Sequence, residues 1–211
     1  MSNLAKLSGE FIELTSPGPH VLLVELARFW FKYCRVLEDI SREPDVRVVV
    51  LAFVFPKLFS AGIDCNKKRL STARIYPRVP ERCPFPIIAA IHGVAYELSI
   101  DIIAACDIRY AASNAVFSIK EVDVGLAADI GTLARLPKLA GNQSLMHGLA
   151  YTTRKFSAQE AKKMGLLSRV VQGGRDKVVK AALDTAKVIA AKSPIVVIGT
   201  KMVLQHARDH T

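Results

Sequence analysis

No apolar stretch in this sequence reaches the roughly 18 to 20 uncharged residues that a bilayer-spanning helix needs. The longest candidates, VRVVVLAFVF at 46–55 and PIIAAI at 86–91, fall short, and the expectation is a soluble protein with no membrane partner. The opening MSNLAKLSGEF carries one lysine and no apolar core, so a secretory leader is not expected, and the final RDHT matches no peroxisomal tripeptide. Cysteine is scarce: Cys34, Cys65, Cys83 and Cys106 form no CxxC pair and have no histidine at ligand spacing, which argues against a zinc site or a disulfide framework and for reduced thiols in an intracellular compartment. Aromatics make up only 7% of the chain. They do not interleave with the scattered basic residues Lys67, Lys68, Arg69, Lys162, Lys163 and Arg175, so no nucleic-acid partner is expected. Internal repeats and low-complexity tracts are missing as well.

What is present is apolar mass and positive charge. Of the 211 residues 51% are hydrophobic, enough for a substantial core. The formal net charge is +10 and the pI about 9.6, which suits an anionic partner such as a phosphate-bearing substrate without choosing one. Short β-branched runs at 20–26 (HVLLVEL) and 46–53 (VRVVVLAF) read as strands. Between them KYCRVLEDISREP places Cys34, Leu37 and Ile40 on one helical face and is stopped by Pro44. A buried strand is predicted over 86–93, a helix from Leu98 or Ser99, strands in DIRYAAS and AVFSI, and a loop through VDVGLAADIG. Ser157 with Glu160 three residues on begins another helix, and two amphipathic helices follow over about 175–191 and 193–208, the second with Pro194 in its first turn. Strands interleaved with helices make this an α/β chain with substantially parallel pairing.

Three stretches carry chemistry. IKEVDVGLAADIGTLARLPK at 119–138 holds Glu121, Asp123 and Asp129 in apolar surroundings. Burial raises a carboxyl pKa toward neutrality and suits it to general acid or base work. Each acid also has a plain reading as a cap or surface ion pair, with Asp123 pairing a neighbouring Lys or Arg. LFSAGID at 58–64 is a small-residue turn after a strand, able to present backbone N–H groups to a developing oxyanion. AAIHGVAYELSID at 89–101 runs from a strand into a helix N-terminus, another source of unpaired N–H groups. His92 there reads as a structural hydrogen-bonder rather than a base.

Taken in order, FSAGID, PIIAAIHG, DIIAACDIRYAAS, FSIKEVDVGLAADIGTLARLPKLAGNQS and SAQEAKKMGLLSRVV resemble the enoyl-CoA hydratase/isomerase (crotonase) superfamily, and within it the dienoyl-CoA isomerases. The resemblance implies a crotonase-like spiral of strand-strand-helix units over 1–211, with its core at about 10–170. A C-terminal helical segment at 171–211 would be shorter than the family's. It implies an acyl-CoA substrate, no separate cofactor, no metal, and a homo-oligomer, trimer or hexamer. The oxyanion donors would be the N–H groups of Ile63 and Leu98, with Ser60, Ala61, Gly62 and Asp64 contacting substrate. Glu121 would move a proton near the α-carbon and Asp129 at the far end of the diene, with Asp101 as a polar orienter. The family's compartments are peroxisomes and mitochondria. The sequence departs from the family at Glu97-Leu98-Ser99, where the family has a glycine run. Two alternatives stay open beside the isomerase: an enoyl-CoA hydratase, and an inactive homologue acting as an oligomer subunit or acyl-CoA binder.

Overall fold

The computed structural model describes residues 8–9, 11–27, 30–61 and 79–209, and for residues 30–32 the backbone only. Six strands form one sheet in the order β1 (Ile12–Gly18), β2 (Val21–Leu26), β3 (Val48–Phe53), β5 (Ile87–Ile91), β7 (Ile108–Ala112) and β10 (Arg169–Val171). Only the β1–β2 pair is antiparallel. A second, smaller sheet runs β4 (Leu58–Ser60), β6 (Val94–Tyr96), β8 (Val116–Ser118) and β9 (Phe156–Ser157), with β9 antiparallel to the rest. The chain visits the large sheet, then the small one, then a helix. β5 and β6 lead to α3 (Leu98–Ala105), and β7 and β8 lead through a 3-10 helix (Glu121–Val124) to α4 (Thr132–Leu139). This is the strand-strand-helix spiral that the resemblance implied.

The central strands are apolar at every position because both faces of the large sheet are covered. Val48, Val50, Ile88 and Ala90 point to α7 (Arg175–Ala190), whose Val178, Ala182, Ala186 and Ala190 lie against them. Val49, Leu51, Ile87, Ala89 and Ile91 point the other way, into the main core with α1 (Trp30–Ile40) and α3. Small side chains on α7 let it approach the sheet closely. The remaining helices are α2 (Val79–Arg82), α5 (Gln143–Thr152), α6 (Ala158–Lys163) and α8 (Pro194–Asp209). Ser157 caps α6 as its sequence predicted, accepting from the Glu160 N–H at 3.2 Å. The Glu160 carboxylate turns away to Arg154 and so does not complete a reciprocal capping box.

Three features differ from the sequence reading. β1 forms although IELTSPG alternates weakly and contains Pro17, because its exposed face and edge position need no continuous apolar run. α1 ends at Ile40, four residues before Pro44. The stretch after β8 is a 3-10 helix rather than open loop, closed by Gly125, whose N–H returns to the carbonyls of Glu121 and Val122.

Candidate active site

Pairing in the small sheet assembles the site. Tyr96 at the end of β6 is in register with Ser118 at the end of β8, and the Glu97 N–H extends the ladder to the Ser118 carbonyl at 3.1 Å. The start of α3 and the start of the 3-10 helix therefore lie side by side. Gly93, with φ of 57°, makes this possible from below. A side chain there would strike the Lys57 carbonyl, where the segment entering β4 crosses beneath the start of β6.

Asp101 is in the first turn of α3 and almost wholly buried. Its Oδ1 accepts the Thr132 N–H at 2.5 Å and so ties α3 to the first turn of α4. Burial pushes its pKa up to about 6, against the opposing hydrogen bonding from Thr132 and the positive charge of Arg135. Glu121 opens the 3-10 helix and is partly buried. Its Oε2 is shielded from water and has no hydrogen-bond partner among the described residues. Burial first, then the charges of Asp101 and Glu97, push its pKa up to about 7. Two carboxyl groups poised near neutral pH therefore lie near the α3 N-terminus, and carboxyls so tuned are suited to general acid or base work.

Leu98 is the first residue of α3, so by position its N–H is one the helix itself does not satisfy. Its side chain packs into the main core. Glu97 before it has φ 51° and ψ −122°, a backbone that favours glycine. Asp129 is exposed, in the turn between buried Ala128 and α4. Ser60 ends β4 half-buried and Ala61 is exposed, whereas Gly62, Ile63 and Asp64 lie outside the described residues. Asp123 is tied to the Lys120 ammonium at 2.6 Å and accepts the Thr153 hydroxyl at 2.8 Å, the structural role its position suggested. His92 donates from Nε2 to the Phe55 carbonyl at 2.8 Å, again as expected. Cys83 and Cys106 are buried free thiols. No group of three or more His, Cys, Asp or Glu side chains among the described residues is gathered closely enough to hold a metal ion.

Sequence reasoning missed one charged residue here. Arg135 is buried on α4 and its guanidinium pairs in bidentate fashion with Glu81 of α2, both bonds 2.9 Å. Only its position within the GTLARLPK run gave any signal.

The enoyl-CoA hydratase/isomerase family profile matches residues 26–211. The chain belongs to this family. Human mitochondrial Delta(3,5)-Delta(2,4)-dienoyl-CoA isomerase is 43% identical over 235 aligned residues, covering 97% of this chain and 71% of the human protein. The peroxisomal enzyme of the same name from Arabidopsis thaliana is 36% identical over 203 residues, covering 86% of this chain and 72% of its own. Among solved structures, an enoyl-CoA hydratase from Bacillus anthracis superposes with a TM-score of 0.86 at 30% identity, over 96% of this chain and 85% of that one. A monofunctional enoyl CoA isomerase from M. smegmatis gives 0.81 at 28% identity, over 95% of each chain. Members of the enoyl-CoA hydratase/isomerase family thus share both this sequence and this spiral.

Proposed function

We propose that this protein isomerises 3,5-dienoyl-CoA thioesters to their 2,4 isomers. The observation that carries the reading is Glu121: a carboxyl with its inner oxygen buried and unpartnered, poised near pH 7 beside the first turn of α3. In the ionised form Glu121 takes a proton from the carbon next to the thioester. The electron pair then spreads over the thioester oxygen and the diene, and a proton is returned at the far end of the diene by Asp129. The substrate and product differ only in where that proton and the two double bonds lie. The Leu98 N–H, with that of Ile63, stabilises the enolate oxygen, each donor contributing about 3 to 4 kcal/mol. Proton transfer by a placed carboxyl supplies a further ~10²- to 10⁴-fold. Substrate contact is assigned to Ser60, Ala61, Gly62 and Asp64 on the family resemblance of the FSAGID stretch. The thioester brings its own coenzyme A and no other cofactor enters the reaction, while the net charge of +10 suits the CoA phosphates.

Asp129 is exposed while Asp101 and Glu121 sit together, and that arrangement also suits a pair of acids holding one water for addition to a 2-enoyl thioester. Mixing the protein with 3,5-octadienoyl-CoA and following the absorbance of the conjugated 2,4-dienoyl product separates the two. Product growth abolished by Glu121→Gln and Asp129→Asn is the expected result. Water addition to crotonyl-CoA without diene isomerisation would replace the isomerase reading with the hydratase. The apolar, exposed side of α8 supports assembly into a homo-oligomer. The compartments in the relatives' names support a mitochondrial or peroxisomal location.

A further inference from the structure

We propose that Arg135, clamped by Glu81, is a positioning residue whose fixed guanidinium, close to the Asp101 carboxylate at the N-terminus of α4, favours its charged form beside Glu121. This rests on the isomerase reading only for its kinetic consequence. The guanidinium has three nitrogens. Nε and Nη2 are both committed to the Glu81 carboxylate at 2.9 Å. Glu81 is in turn held by Arg208 of α8 at 3.0 Å, and the two arginines outweigh burial to keep its carboxyl below the usual range. The clamp leaves Nη1, which occupies the place where a side chain on Gly131 would begin. The Asp101 Oδ1 lies 3.2 Å from that same point. Nη1 and the buried carboxylate thus flank the same point beside Gly131, close enough for their charges to act on one another without a direct ion pair between them.

The other groups around this cluster are the Thr132 N–H on Asp101, the buried Tyr33 hydroxyl of α1 near Arg135, and Asp101 and Glu97 around Glu121. Signs alternate from Arg208 through Glu81 and Arg135 to Asp101, and end on Glu121. Burial raises the Asp101 pKa, and Arg135 adds its charge to the larger opposing effect of the Thr132 hydrogen bonding. An ionised Asp101 accepts the Thr132 N–H more strongly and keeps Glu121 poised near neutrality.

The test is a carbon-13 carboxyl NMR titration of the full chain with kcat and KM on 3,5-octadienoyl-CoA. The variants are Gly131→Ala, which displaces Nη1, Arg135→Lys, and the double change Arg135→Met with Glu81→Leu. The double change removes the buried Arg135–Glu81 pair whole, so neither partner is left charged and alone, and Asp101 can take up a proton. With Arg135 displaced or removed, the Asp101 titration should rise by about 1 to 3 pH units. The same variants should lose kcat by about 10²-fold with KM little changed, and Arg135→Lys should restore part of both. An unmoved titration in Gly131→Ala and the double variant overturns the proposal, even if kcat and melting temperature fall together. Should the wild type turn over no diene, the isomerase reading fails on its own and the titration alone decides the role of Arg135.

Discussion

Glu97 stands where its backbone asks for glycine, and the strain of φ 51° and ψ −122° costs about 1 to 3 kcal/mol in a residue with a side chain. The gain from glycine is offset in part by its greater freedom in the unfolded chain, about 0.5 to 1 kcal/mol. Glu97→Gly should therefore stabilise the protein by about 1 kcal/mol, read as a higher melting temperature. It should also move the pH profile. The Glu97 charge raises the Glu121 pKa, so removing it lowers that pKa. If Glu121 acts ionised, the rise of kcat/KM with pH, set near 7 in the wild type, shifts to lower pH. An unmoved rise would mean the two carboxylates do not interact. At this scale the run's apolar character made Glu121 legible as a partly buried carboxyl but misjudged the rest, since Val122, Val124 and Leu126 are exposed together with Asp129, while Asp123 and His92 could be set aside on local grounds. Arg135 was not legible, because its partner Glu81 is 54 residues away and nothing local distinguishes a buried arginine from a solvated one.

Among the helices of ten or more residues, α8 is the least embedded. Of its 16 residues only Lys201 is buried. That ammonium donates to the carbonyls of Pro80 at 2.8 Å and Phe85 at 3.0 Å and to the Asp107 carboxylate at 2.8 Å. Asp107 also accepts the Ile87 N–H at 2.8 Å, so one lysine fastens the helix to the start of β5. Lys201→Met leaves those acceptors without their donor, at a cost on the order of 3 kcal/mol. Hydrogen exchange should show the loss first in 194–209, ahead of the sheets. Protection there equal to the wild type would mean that Arg208 with Glu81 is a sufficient anchor. The two C-terminal helices and the strands β3 and β5 were readable from periodicity and β-branched composition. β1 and the 3-10 helix were not, since an exposed edge strand and a four-residue turn bury too little to leave a pattern in the sequence.

At the scale of the whole molecule, α8 presents Ile195, Val196, Met202, Val203 and Leu204 to solvent, with Ile195 82% exposed and Val203 69%. A contiguous apolar face of this kind on a protein of net charge +10 is a surface that association would cover. Mass photometry should give multiples of the 23.1 kDa chain, and Val203→Asp with Leu204→Asp should return it to the single-chain mass. A wild type found only at 23.1 kDa would reject the assembly. The cover of the large sheet carries a different consequence, for synthesis. Strands β2, β3, β5 and β7 are complete by Ala112, yet the helix that shields one of their faces ends only at Ala190. At ordinary elongation rates that interval lasts on the order of ten seconds. Throughout it the emerging chain offers an uncovered sheet to its surroundings, and a ribosome stalled before residue 175 would release a product unable to bury that face and prone to aggregate.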